Sequence, residues 1–351
     1  MYSLKSIFCL VLFLLILSSC AKMQYLFEQG IGQVKLLNQS RLNNQLLMDK
    51  SISQDYKRKI KLIEAYKEYF YKYWQKPTSD IYSQTTILDR EAVTYLVIRS
   101  SVDQVKALEE CFIFMGCFPY LGFFNHDSAL KYAEGKRKDG EHTWIRKVFA
   151  YSTLGYFTDD ILSSFFYYDD FELAELIFHE LFHTIFFIKD EVGLNENLAN
   201  YIGKEMAIEY FSDKSVLVNN KITKRQNYAK ISLKIVSLIK ELNLKYKEAS
   251  SKQEYSNVLA SFMKNRFLPE VSKLCTQIGI NLKECYPLKR KWNNASLAAK
   301  MTYSQKVNKI EELRKVNNYS IRELFNFINK KHTKYKKLDL GSTFFEYLFK
   351  K

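Results

Sequence analysis

The stretch HELFH, residues 179–183, holds the side chains best placed to do chemistry. In an α-helix, positions i and i+4 lie about one turn apart on one face. His179 and His183 therefore point the same way, spaced to share one metal ion. Glu180 sits beside them, placed to hold a water that the metal polarises. This is the H-E-x-x-H arrangement of zinc-dependent hydrolases. The chemistry it implies is zinc-assisted (Zn2+) hydrolysis, with Glu180 as general base.

The flanks must position these groups. Asp169 and Glu172 read as a capping-box-like start, an acid at the N-cap and a carboxylate three residues on. Leu173, Leu176, Ile177, Phe178, Leu181, Phe182, Ile185 and Phe186 then put apolar groups on nearly every face, so the helix is expected to be buried. Two histidines and a glutamate inside such a helix are costly unless paired or bound to a metal. A break follows at 189–193, where Gly193 suits a turn, and a second helix is expected from about Asn195. A loop of about six residues can span up to ~20 Å, enough to return Glu196 beside the histidines. Glu196 is the expected third ligand, since catalytic zinc commonly takes two histidines and one carboxylate. Its rivals are Asp190, Glu191 and Glu205, the last about half a turn out of phase with Glu196. Asn200 is expected on the same face as Glu196, and Gly203 would let the two helices approach closely.

On these residues the chain resembles the putative aminopeptidase family of bacterial lipoproteins, in the gluzincin group of metallopeptidases. The resemblance is carried by AYSTLG (150–155), HELFH (179–183) and Asn195, Glu196 and Ala199. CFIFMGCFPYLGFF (111–124), YLFEQGIGQVKLL (25–37) and WNNASLA (292–298) extend it over most of the chain. It implies zinc bound by His179, His183 and Glu196, with Glu180 as base. It also implies a sheet edge that binds extended peptide by strand addition, here Tyr151, Ser152, Thr153 and Gly155. Phe182 stands where the family often has a small residue. No motif for holding a substrate's free amine, such as G-A-M-E-N, is present. Tyr151, Tyr156 and Tyr303 are oxyanion-stabilising candidates by type alone, and 25 tyrosines leave that choice open.

The chain opens with Lys5 and an apolar run, Ile7–Leu17, too short to span a bilayer, which needs about 20 residues. This reads as a secretory signal over residues 1–19. Leu17-Ser18-Ser19-Cys20 fits a lipobox, so cleavage before Cys20 and its acylation are expected. That places a lipoprotein in the bacterial envelope, held to the bilayer through Cys20 and facing the periplasm or exterior. The formal charge of +15, from 53 basic and 38 acidic residues, admits nucleic acid or anionic lipid. The export signal and the scatter of the lysines argue for no nucleic acid.

Leu62, Tyr66, Tyr69, Phe70 and Tyr73 recur at helical spacing, an aromatic core face. Residues 92–99, 111–115 and 148–156 read as strands, with a short helix near Ala129 before the turn GKRKDG. Beyond Met206 the pattern is almost wholly helical, with breaks at Pro269 and Pro287. Asn293-Asn294 opens a helix that either lines the cleft or is simply capped. Cys111, Cys117, Cys275 and Cys285 are an even set; of three connectivities, the local pairs 111–117 and 275–285 are preferred. His126, His142 and His332 lack partner spacing and read as structural or surface. The expected fold is α+β and mostly helical: a small sheet beside a buried HExxH helix, then a helical C-terminal lobe, gluzincin-like by resemblance. Residues 20–210 form the expected first lobe and 211–351 the second, packed on one catalytic unit. The leading reading is a membrane-anchored zinc metallopeptidase acting on peptides. The alternatives are a non-catalytic envelope scaffold and a zinc amidase of cell-wall amides.

Overall fold

A computed structural model describes residues 25–112, 116–150, 159–189, 191–302, 307–338 and 342–350. Residues 25–38 form α1. β1 (Ser40–Leu42), α2 (Asn43–Met48), α3 (Gln54–Trp74) and β2 (Gln84–Thr86) follow. Next come β3 (Thr94–Ser100), β4 (Glu110–Phe112), β5 (Gly116–Phe118), β6 (Leu121–Phe123), α4 (His126–Lys138), β7 (His142–Val148) and β8 (Ile161–Leu162). The rest is helical: α5 (Asp170–Ile185), α6 (Val192–Tyr210), α7 (Ser215–Tyr246), α8 (Lys252–Phe262), α9 (Leu268–Gln277), α10 (Asn294–Thr302), α11 (Val307–Val316), α12 (Ile321–Tyr335) and α13 (Phe344–Phe349). The fold is α+β, mostly helical, with small sheets, as the sequence led us to expect. Among the described residues, no helix is long and apolar enough to cross a membrane.

The strands form one antiparallel sheet in the order β6-β3-β7, a second sheet in the order β1-β2-β8, and the hairpin β4-β5. Of the strand expected at 148–156, only Val148 lies in a described strand, and that strand begins earlier. HTWIRKV, at 142–148, pairs along the whole length of β3, from Thr94 opposite Val148 to Ser100 opposite His142. Residues 149 and 150 carry no regular structure, and 151–156 lie outside the described residues. The helix near Ala129 runs on through GKRK to Lys138, because a glycine inside a solvated helix costs only about 1 kcal/mol. Of the strand expected at 111–115, Cys111 and Phe112 lie in β4, and 113–115 lie outside the described residues. Cys111 and Cys117 are register partners across the β4-β5 hairpin and are bridged.

The aromatic stripe of α3 is core. Tyr66 and Phe178 rings meet at 5.8 Å, and Trp74 and Phe182 at 6.0 Å. These contacts lay α3 along one side of α5. At the N-terminus of α5, buried Lys59 donates to the Tyr168 carbonyl at 2.6 Å and to Asp170 at 2.9 Å. The Asp169 carboxylate accepts from the Glu172 N–H at 2.9 Å, so half of the expected capping box forms. The other half does not, because the Glu172 carboxylate turns to Lys221 and Lys224.

Two main cores result. The larger gathers α3, α5 and α6 together with Ile310, Leu324, Phe325, Ile328 and Phe344 from the last three helices. The second gathers α7 to α10, with Ile235, Leu242, Phe267 and Val271 at its centre. Helices on both sides of residue 210 thus share the core around α5. The Cys275–Cys285 bridge is buried in the second core. Pro269 does not end its helix. A π-helical turn, Met263–Phe267, joins α8 to α9 just before it. Widening the turn accommodates a ring that lacks an N–H and crowds the carbonyl four residues back.

Candidate metal centre

Helix α5 presents HELFH to α6. The Nε2 atoms of His179 and His183 stand 3.3 Å apart. The Glu196 carboxylate, from the second turn of α6, reaches both: Oε1 lies 3.3 Å from His183 Nε2, and Oε2 lies 3.5 Å from His179 Nε2. A tetrahedral centre with bonds of about 2.0–2.1 Å has ligand–ligand edges of about 3.3–3.4 Å. The His179–His183 separation is of that size, and the two oxygens of the Glu196 carboxylate each lie at a comparable distance from one imidazole, so the three side chains form a triangle. Glu180 stands beside it, its Oε1 4.0 Å from His179 Nε2. His183 and Glu180 are nearly buried, whereas Glu196 is about half exposed, so the triangle opens to solvent on the α6 side.

The electrostatics fit that placement. Burial pushes the Glu180 carboxyl above the ordinary carboxylate range; the two histidines oppose this, and Glu196 and Asp159 add to it. For Glu196 burial pulls upward too, but hydrogen bonds from His179 and His183 and their charges outweigh it, so its carboxyl is held below that range. Burial disfavours charge on His179, yet Glu196 and Glu180 overcome it and raise its proton affinity. Both histidine Nδ1 atoms are buried with no hydrogen-bond partner among the described residues. Among the described residues, each ring directs its polar contacts through Nε2, without the carboxylate or carbonyl that commonly orients a ligating histidine.

Two residues bring the helices together. A Cβ on Gly203 would lie 2.7 Å from the Glu175 carbonyl oxygen and 2.9 Å from His179 N, so only glycine permits this crossing. The close approach expected of Gly203 is what the structure has. The second residue, Asn195, went unread in the sequence as a clasp. It is buried, and its side-chain amide accepts from Ile188 N–H at 2.9 Å and donates to the Ile188 carbonyl at 2.7 Å. This pairing folds the loop after α5 back on itself and starts α6 three residues earlier than expected, at Val192. In the sequence the only signal was an asparagine beside the acid, which reads equally as a helix-start residue.

Other candidates lie elsewhere. Glu191 accepts from Phe345 N–H at the start of α13 at 3.0 Å. Glu205 pairs with Arg314. Asp190 lies outside the described residues. Asn200 donates to the Glu196 main-chain carbonyl at 2.7 Å and is exposed. Tyr151, Ser152, Thr153, Gly155, Tyr156, Tyr303 and Cys20 also lie outside the described residues. Asn293 and Asn294 do not reach the triangle: Asn293 caps α10 through Ser296 and donates to the Thr143 carbonyl, while Asn294 ties α10 to the 101–104 loop. A second acidic and cysteine group, Glu109 with Cys111 and Cys117, has no free thiolate, because its cysteines are bonded to each other. A groove of about 680 Å³ between α7 and α8, lined among others by Glu241, Lys245, Glu254 and Arg266, contains no HELFH residue.

A family model described as putative aminopeptidase matches residues 24–338. The chain belongs to that family. No curated protein and no solved structure matches it. Membership in the family suggests peptide-bond hydrolysis, and the matched span contains both helices of the triangle.

Proposed function

We propose that the protein is a zinc-dependent peptidase of the gluzincin type, held at the bacterial envelope membrane by acylated Cys20. The reading is carried by one observation. Two imidazole Nε2 atoms and one carboxylate, from two helices, converge within 3.5 Å of one another, with Glu180 alongside. His179, His183 and Glu196 are the proposed ligands. Zinc bound there supplies a Lewis acid for the scissile carbonyl and a water that ionises near neutral pH. Glu180 accepts the attacking water's proton and delivers it to the leaving amine. Its raised proton affinity suits a base that must hold a proton between two transfers, and the depressed affinity of Glu196 suits a ligand that stays ionised. Tyr151, Ser152, Thr153 and Gly155 are proposed to pair with the substrate backbone, on resemblance alone. The signal, the lipobox and paired cysteines fit an exported, oxidising location facing the periplasm or exterior.

The test is a peptide panel with free and blocked N-termini, run on zinc-loaded wild type and Glu180→Gln. Hydrolysis is expected from the wild type and a loss of roughly 10²–10⁴-fold from the variant. Preference for free N-termini would establish the aminopeptidase mode. A zinc-saturated wild type that cleaves neither series would overturn the peptidase reading.

A further inference from the structure

Helix α1 has two faces. On the inner one, the Tyr25 hydroxyl donates to the Gly122 carbonyl at 2.6 Å, and Gln29 Oε1 accepts the Phe124 N–H at 3.0 Å. A Cβ on Gly32 would lie 2.6 Å from the Phe124 ring, and Leu36 is buried. These residues recur every three or four positions, so they fix the helix's rotation. The outer face is thereby fixed too. Its seven exposed residues are Leu26, Phe27, Gly30, Ile31, Val34, Lys35 and Asn38. Phe27 is 70 % exposed, Ile31 53 % and Val34 56 %, at positions i, i+4 and i+7, and Leu26 at 38 % borders them. A Cβ at Gly30 would meet nothing within 4 Å, so the stripe is not overhung. It carries no acid, and its one charge is a lysine. A solvated helix face is normally polar, and a contiguous exposed apolar stripe marks an interaction surface.

Chain geometry selects the occupant. Cys20 precedes Tyr25 by five residues, at most ~18 Å of extended chain. The stripe from Leu26 to Val34 is about 12 Å long. An acyl anchor on Cys20 therefore holds this face within reach of the bilayer surface, and the charge of +15 draws the body toward anionic lipid. Apolar side chains with a lysine at the margin suit the boundary between headgroups and acyl chains. We propose that the outer face of α1 lies in that boundary, so that the enzyme is oriented on the membrane as well as tethered to it. This rests on the acylation of Cys20 proposed above.

The test has two arms. In the acylated protein on vesicles of phosphatidylethanolamine and phosphatidylglycerol, an environment-sensitive dye on Ile31→Cys should shift to the blue and be quenched by lipid-borne quenchers. In a Cys20→Ala background, Phe27→Asp/Ile31→Asp/Val34→Asp should weaken vesicle binding at least tenfold, with unchanged circular dichroism. A dye that reports water in the vesicle-bound protein would overturn the proposal. So would vesicle binding by the Cys20→Ala protein that the three aspartates leave unchanged, or a dye already shielded in a vesicle-free dimer. Failure of the anchor itself registers separately, as unacylated Cys20 in the mass of the wild-type protein, and leaves the Cys20→Ala arm readable.

Discussion

Two polar clusters among the described residues, one around Asn294 and one around His179, are built differently. Asn294 satisfies itself. Its Oδ1 accepts from the Tyr246 hydroxyl at 2.8 Å, and its amide reaches the carbonyls of Ser101, Val102 and Gln104 at 3.0–3.2 Å. Each donor there faces an acceptor. Around His179 three titratable side chains crowd together. Two imidazole nitrogens meet at 3.3 Å with a carboxylate at 3.3–3.5 Å, and both Nδ1 atoms lack partners among the described residues. A self-satisfied set fixes a fold, because every buried group is paired without help. The second set leaves two ring nitrogens unpaired among the described residues and gathers two imidazoles and a carboxylate at one point, the feature on which the proposed metal site rests.

Breaking the Asn294 set should cost stability and nothing else. Asn294→Ala strands the Tyr246 hydroxyl and the loop carbonyls in the interior, where unsatisfied groups cost about 1–3 kcal/mol each. Denaturant unfolding should show a loss of about 2–3 kcal/mol, with zinc affinity unchanged. A variant that kept its stability and lost metal would erase the distinction between the two sets. Gly203→Ala sharpens the contrast from the other side. The new methyl meets backbone of Glu175 and His179, which cannot rotate away, so a loss of about 1–3 kcal/mol is expected. Zinc affinity should fall with it, since the displaced atoms carry a ligand. Gly135→Ala is the control, because a Cβ there meets nothing within 4 Å, and it should be neutral or slightly stabilising. Equal effects of the two alanines on zinc competition would show that the helix crossing does not position His179.

The smallest expected effect is at the start of α5. Burial raises the Asp170 carboxyl, but Lys59 and Arg58 outweigh it and hold it below the ordinary range. A carboxyl depressed in the fold adds stability that is present above its unfolded pKa of about 3.9. That stability is lost as pH falls through the lower folded value. Asp170→Asn should therefore flatten the acid side of the stability profile, whereas Asn294→Ala should leave that slope as it is. An unaltered acid slope in Asp170→Asn would mean that this pair does not couple folding to pH.

Much of the centre was legible because its signal is local. His179, Glu180 and His183 lie within one helical turn and a third, and periodicity alone puts the histidines on one side. Glu196 was reachable through the chemistry of the donor set, and Gly203 through its spacing from Glu196. The parts that were not legible depend on the chain folding back. Asn195 reads as a helix-start residue until Ile188 lies beside it. The strand 142–148 is defined by its pairing with β3, and its alternation is weak against the charged residues around it. Pro269 reads as a stop because composition does not reveal that a π-helical turn will absorb it. Asn294 in NNAS was equally a cap or a cleft residue; its partners at 101–104 and Tyr246 are too distant in sequence to decide between them.

The central claim is that Glu196 holds the metal and Glu180 does not. Zinc content, measured on Glu180→Gln and Glu196→Ala purified identically, tests it most directly. Glu180→Gln keeps His179, His183 and Glu196 and should carry near-stoichiometric zinc. Glu196→Ala removes one corner of the triangle and should purify largely metal-poor. Metal-poor Glu180→Gln beside zinc-loaded Glu196→Ala would reverse the two roles, and full zinc in both, with loss only in Asp190→Ala or Glu191→Ala, would move the third ligand into the loop and contradict the account.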